Sequence, residues 1–173
     1  GFNVFTFESY PAEIKGGHCW YQVRSANDEV LSAGTAVDCL CAFNQDAIDL
    51  HLKAVGKGGV VVYDPGQVAN MPTDRPDLIY YPIKFDELVK EKVQSPKSKN
   101  VFAVAIVSAL YGIPPAELKK TVAKKYRGKN PKLLDLVAPH VGAGTESFGG
   151  AAGGALGPSA VTGGSPAFAS LPS

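Results

Sequence analysis

Apolar and polar residues alternate from Asn3 to Glu8 in a run rich in β-branched and aromatic side chains, the pattern of a half-buried strand. A second strand is expected from Trp20 to Arg24. Val37 to Phe43 is nearly all apolar and short, as in a strand covered on both faces, and it stops at Asn44. Ala47, Ile48, Leu50, Leu52 and Val55 then recur at close to helical spacing, which predicts an amphipathic helix over 45–55, ended by the glycines at 56–59. Val60 to Asp64 reads as another buried strand, Pro65-Gly66 as a turn, and Leu78 to Ile83 as one more strand. Further on, 85–92 reads as a short helix and the polar stretch 95–99 as a surface loop. Val101, Val104, Ala105, Val107, Ser108 and Leu110 predict a buried helix over 100–111, stopped by Gly112. Pro114-Pro115 opens a last helix over 116–126, with proline where its missing N–H costs least.

Buried strand, helix and buried strand in succession describe a mostly parallel sheet within an α/β domain. At 173 residues and 45% hydrophobic content the chain supports one core. That domain is expected over 1–135. Between Ala138 and Ser173, 26 of 36 residues are Gly, Ala, Pro or Ser, too little apolar surface to offset the entropy of ordering, so 136–173 is expected to be a disordered low-complexity tail.

The net charge of +1 conceals an asymmetry. From Lys84 to Lys132 there are 12 Lys and Arg against 4 Asp and Glu, a balance of +8, and the rest of the chain stands at −7. Nucleic acid is not an expected partner, because Lys119, Lys120, Lys124 and Lys125 lack interleaved aromatic residues. No run of about 18 apolar residues occurs, and no basic segment leads into an apolar one at the start, so a cytoplasmic protein without a membrane span is expected. Cys19, Cys39 and Cys41 form no C-x-x-C pair and read as reduced thiols rather than as ligands of a zinc ion or an iron–sulfur cluster.

Chemistry concentrates at Lys15-Gly16-Gly17-His18. Paired glycines can present backbone N–H groups to a phosphate or carboxylate, and Lys15 adds a cation; a tight turn between strands is the plainer alternative. His18 has the titration range of an acid or base but no evident partner, and His51 and His140 complete no recognisable metal spacing with it. Arg24 suits bidentate pairing with an anion or a place on the strand surface. Asn44 and Gln45 follow a buried strand, where open α/β sheets place their ligand crevice, although Asn44 equally suits a helix N-cap. Asp64 has the same position after the next strand. Asn100, behind Lys99, is an N-cap candidate too.

The run Tyr10 to Ser25, with Asn44-Gln45 and Lys99-Asn100, resembles the gamma-type domain of the 2-oxoacid:ferredoxin oxidoreductases over roughly Gly1 to Lys132. The resemblance implies a three-layer Rossmann-like fold. It also implies a subunit of an enzyme that converts a 2-oxoacid and coenzyme A to acyl-CoA and CO2 on thiamine diphosphate, passing electrons through iron–sulfur clusters to ferredoxin. In that scheme this chain supports assembly and lines the coenzyme A side, through Lys15, Gly16, Gly17, His18, Arg24, Asn44, Gln45 and Asn100. It is expected to hold no cofactor: it lacks the Gly-Asp-Gly stretch for magnesium diphosphate and any cluster-type cysteine set. Thiamine diphosphate, Mg and the clusters fall to partner chains. Relatives open with a strand, a glycine-rich loop and a helix that have no counterpart here, so a truncated N-terminus is expected. The alternative from another class is a non-catalytic α/β module that takes a phosphorylated ligand at Lys15 to His18 and an anionic partner along the basic helix.

Overall fold

The computed structural model describes residues 3–10, 17–87, 99–125 and 167–171. They fall into two compact units, one of residues 1–84 with 162–173 and one of residues 85–161.

The first unit is built on a six-stranded sheet. Its strands are β1 (Asn3–Ser9), β2 (Cys19–Ala26), β3 (Val37–Ala42), β4 (Val55–Tyr63), β5 (Ile79–Pro82) and β6 (Ala167–Leu171), in the order β1-β2-β6-β3-β4-β5. β1 and β2 pair antiparallel along their lengths, and β2 pairs antiparallel with β6. The pairs β6–β3, β3–β4 and β4–β5 are parallel, so the sheet is mostly parallel, as expected of a Rossmann-like α/β fold. Helix α1 (Gln45–His51) and a turn of 3₁₀ helix (Leu52–Ala54) carry the chain from β3 to β4.

The core lies between α1 and the sheet. Leu40 and Ala42 of β3, Val61 of β4, and Ala47 and Ile48 of α1 form one cluster with Leu52, Val55, Val68 and Leu78, and Trp20 of β2 packs against it. Cys39, Cys41, Val60 and Val62 alternate onto the other face and are equally buried. Both faces of β3 and β4 are therefore dry, which is why these strands are continuous apolar runs.

The glycines at 56–59 do not simply terminate a helix. α1 ends at His51, and β4 begins at Val55, so the glycines lie inside the strand. The register explains their presence: Val37 faces Val55 but Cys39 faces Val60, and the extra residues of β4 bulge out. Gly58 has φ 78°, and a Cβ on Gly59 would sit 2.5 Å from Val55 Cγ1 and 2.9 Å from the Gly56 carbonyl oxygen. Only glycine fits there.

Of the low-complexity stretch 136–173, Ala167–Leu171 forms strand β6, and the remainder lies outside the described residues. Two neighbouring strands supply this segment's main-chain hydrogen bonds, a tertiary effect that its composition does not carry.

In the second unit, residues 85–87 are helical, and the rest of the short helix expected over 85–92 lies outside the described residues. Helix α2 (Lys99–Leu110) starts one residue earlier than its pattern predicts, and Lys99 forms a salt bridge with Asp86. Its buried residues are Val101, Phe102, Ala103, Ala105, Ile106 and Ser108, whereas Val104, expected on the buried face, is exposed. Gly112, at φ 66°, closes the helix, with its N–H on the Ala109 carbonyl and that of Ile113 on the Ser108 carbonyl. Helix α3 (Pro115–Lys125) buries Leu118 and Val122 one turn apart and leaves Lys119, Lys120 and Lys124 exposed.

Candidate functional site

The strand register fixes which candidate residues share an end of the sheet. Cys19 faces Leu171 at the exit of β6, Cys41 faces Ala169, and Ala42 faces Tyr63. The entry to β2 therefore lies at the same edge as the exits of β3 and β4. Gly17, His18, Asn44, Gln45 and Asp64 gather along that edge, where parallel sheets open their ligand crevice. Arg24 does not belong with them: it faces Phe5, beyond the last β6 pairing at Val23, toward the other end of β2. Its Nη1 donates to the Ser32 carbonyl at 3.2 Å. Lys15 and Gly16 lie outside the described residues. Asn100 sits in the second unit, within the first turn of α2 rather than at its cap, and its Oδ1 is buried without a hydrogen-bond partner.

Gly17 has φ 100°, a backbone conformation open to glycine and strained for other residues. It turns the chain into β2 and delivers His18 onto the face that α1 covers. There His18 Nε2 and His51 Nε2 lie 2.8 Å apart, with ring centroids separated by 5.0 Å. Trp20 packs against His51 at 5.3 Å, and Phe7 against Trp20 at 5.1 Å. Four rings, from β1, β2, α1 and the residue just before β2, thus form a continuous row. Burial and, secondarily, the neighbouring charge of His18 hold His51 below the usual histidine range. His18 accordingly has the partner that its sequence neighbourhood lacks, 33 residues away. No local pattern announces the pair, because it depends on α1 crossing the face that carries Trp20.

Asn44 resolves as a helix cap. Its backbone is extended, and its Oδ1 accepts the Ala47 N–H at 3.0 Å. Gln45 is engaged on both sides of its amide: Nε2 donates to the Asn70 carbonyl and to Asp49 Oδ1, each at 2.8 Å, and Oε1 accepts the Asn70 N–H at 2.9 Å. Asp64, 2% exposed, accepts the Gly66 N–H at Oδ1, and its carbonyl accepts from Gln67 and Val68. These three residues shape the loops around the edge. Asn44 Oδ1, Gln45 Oε1 and Asp64 Oδ1 each accept a main-chain N–H.

A further polar cluster was not foreseen from the sequence. Arg75 donates to both carboxylate oxygens of Asp77, at 2.9 and 2.8 Å, and to the Leu52 and Val55 carbonyls at 3.3 and 2.9 Å. It ties the loop before β5 to the end of the 3₁₀ turn, and the hydrogen bond from Arg75 holds the Asp77 carboxyl below its usual range.

Burial pushes the Cys39 thiol up to about 12 and the Cys41 thiol higher still. Among the described residues no three His, Cys, Asp or Glu side chains gather as a metal site. Nor is any helix among them long and apolar enough to cross a membrane.

Comparison with known proteins gives a concordant picture. A family model described as pyruvate ferredoxin/flavodoxin oxidoreductase matches residues 1–146. Subunit alpha of 2-oxoacid:ferredoxin oxidoreductase 2 from Aeropyrum pernix is 25% identical over 129 residues, covering 72% of this chain and 20% of its own. The 2-oxoglutarate oxidoreductase subunit KorA from Mycobacterium tuberculosis is 24% identical, with 86% of this chain and 28% of its own covered. The chain thus spans less than a third of the length of these curated relatives.

Among solved structures, the 2-oxoglutarate:ferredoxin oxidoreductase from Magnetococcus marinus, with 2-oxoglutarate, coenzyme A and succinyl-CoA bound, superposes with a TM-score of 0.73 at 31% identity. It covers 85% of this chain and 26% of its own. The gamma subunit of a keto/oxoacid ferredoxin oxidoreductase from Geobacter sulfurreducens shares the fold, with a TM-score of 0.64 at 22% identity over 84% of this chain and 79% of its own. With most of its length matched by the family model and its fold shared with a gamma subunit, the chain belongs to the pyruvate ferredoxin/flavodoxin oxidoreductase family.

Proposed function

We propose that this chain is a gamma-type domain or subunit of a thiamine-diphosphate-dependent 2-oxoacid:ferredoxin oxidoreductase and acts at the interface on the coenzyme A side of that complex. The complex would convert a 2-oxoacid and coenzyme A to acyl-CoA and CO2, with ferredoxin as electron acceptor, in the cytoplasm. Thiamine diphosphate with its Mg and the iron–sulfur clusters would reside on partner chains. The spacing of Cys19, Cys39 and Cys41, with no C-x-x-C pair, supports that division.

One observation carries the reading most of the way. Gly17, at φ 100°, stands at the sheet edge that gathers His18, Asn44 and Gln45, and the likeness to the coenzyme A-bound Magnetococcus marinus enzyme covers 85% of this chain. In this reading Lys15, Gly16, Gly17 and His18 meet the partner or the coenzyme. Asn44 and Gln45 hold the adjoining loops in shape. Arg24 and Asn100 were also expected at the interface; Arg24 stands toward the other end of β2 and Asn100 in the second unit, so each would serve a separate part of it.

Calorimetry with coenzyme A tests this directly. The expected outcome is no tight binding by the chain alone and binding once the partner chains are assembled with it. Tight binding by the isolated chain would instead favour a self-sufficient module for phosphorylated ligands.

A further inference from the structure

The loop of residues 27–36 carries the chain from β2 to β3 at the end of the sheet away from the crevice edge, and it contains neither helix nor strand. Side chains of β1 and β2 fasten it instead. Asn3 Nδ2 donates to the Asn27 carbonyl at 3.0 Å, Arg24 Nη1 to the Ser32 carbonyl at 3.2 Å, and Gln22 Nε2 to the Ala33 carbonyl at 2.8 Å. Gln22 is buried, so its amide bonds the loop with little competition from water. Arg24 Nε is buried without a hydrogen-bond partner, a penalty that an arginine swung into solvent would avoid. The loop's shape is therefore held at a cost.

On that fastened frame Val30 and Ala33 are half-buried, and Leu31 points out. At 78% exposure Leu31 is the most exposed large apolar side chain among the described residues. A lone apolar residue on a surface is ordinary. Leu31 differs because its backbone is pinned: Arg24 holds the carbonyl of the next residue and Gln22 that of the one after. Asp28 and Glu29, also exposed, stand two and three residues before it, and neither forms an ion pair among the described residues. The loop thus presents an apolar side chain at its centre with negative charge at one rim.

We propose that Leu31 anchors a second docking surface, on which a partner chain of the oxidoreductase seats an apolar pocket rimmed by lysine or arginine side chains opposite Asp28 and Glu29. The proposal rests on the reading of this chain as one domain of a larger enzyme. The chain spans less than a third of the curated relatives' length, so such a domain has much protein to meet. An apolar anchor inside a charged rim is the anatomy of a protein interface. Because the loop is ordered before binding, docking need not lose affinity to ordering it. Gln22 and Arg24 are positioning residues here, acting through the loop.

Photocrosslinking from position 31 reads the surface directly. Benzoylphenylalanine replaces Leu31 in the full-length chain produced in the native host, and mass spectrometry locates the residue it captures. The expected result is a crosslink to one thiamine-binding or iron–sulfur chain, within an apolar segment flanked by Lys or Arg. No such crosslink, or one to a second copy of this chain, overturns the proposal. Binding of those chains to variants supplies the energetics. Leu31→Asp, an exposed change that should leave the melting temperature unaltered, is expected to weaken binding by about tenfold or more, and Leu31→Met to leave it nearly unchanged. Asp28→Lys with Glu29→Lys should weaken it too, by a factor that shrinks as salt is raised. Arg24→Ala should speed hydrogen exchange across 27–36 and weaken binding together; a loosened loop with unchanged binding overturns the positioning role. Parent and Leu31→Asp chains that bind equally well sink the docking surface and leave the subunit reading standing. A parent chain that binds no partner sinks both.

Discussion

Gln45 grips Asn70 by both of that residue's main-chain groups, accepting its N–H at 2.9 Å and donating to its carbonyl at 2.8 Å. A side-chain amide here does what a neighbouring strand would do. It pins the loop between β4 and β5 to the first turn of α1, beside the Asn44 cap. Gln45→Ala is expected to cost about 1–2 kcal/mol by removing two such bonds. Gln45→Glu should cost at least as much, because a carboxylate cannot donate to the Asn70 carbonyl and would face Asp49. Urea unfolding measures both, and faster hydrogen exchange at the Asn70 amide would locate the damage.

The bulge in β4 makes a second expectation quantitative. Gly59→Ala places a methyl group 2.5 Å from Val55 Cγ1, and the nearby Gly56 and Asp38 carbonyls leave it no room to shift. A loss of about 2–3 kcal/mol is expected. Gly58→Ala meets no neighbouring atom and pays only for its φ of 78°, about 1 kcal/mol. The order of the two in denaturant unfolding is the check.

Acid sensitivity should come in two stages. His51 has a folded pKa below 6.5, so the unfolded chain takes up its proton first as the pH falls. Its contribution is complete above 6.5 and is lost as the pH drops below that value through the folded one. Asp77, held below 3.8 by Arg75, contributes fully above 3.8 and loses its contribution lower still. Thermal melts across this range should show stability rising with pH up to about 6.5, with the upper stage missing in His51→Gln.

Thiol accessibility gives a further check. Cys39 and Cys41 are at most 1% exposed and carry strongly raised pKa values, while Cys19 is partly exposed. Iodoacetamide applied to the native chain at pH 8 should label Cys19 and spare the other two. All three should react in denaturant.

The sheet was largely legible because burial of β3 and β4 on both faces writes itself as apolar runs, and because Asn44 is a cap residue in the position a cap needs. What remained hidden was non-local. The glycines after α1 are written as a helix stop, and only the register of β4 against β3 makes them a bulge. Ala167–Leu171 has the composition of a linker and becomes a strand by pairing with β2 and β3. His18 and His51, and Gln45 and Asn70, depend on crossovers that bring residues 33 and 25 positions apart into contact. Within the candidate site, the residues at the crevice edge were foreseen, whereas their supports on α1 and in the following loop were not.

The most direct measurement is affinity capture from the native host with the intact chain as bait, compared with a Lys15→Glu variant. The result expected is recovery of thiamine-binding and iron–sulfur chains with the parent protein and their marked loss with the variant. Recovery of no such chain by the parent would contradict the assignment of this domain to the assembled oxidoreductase.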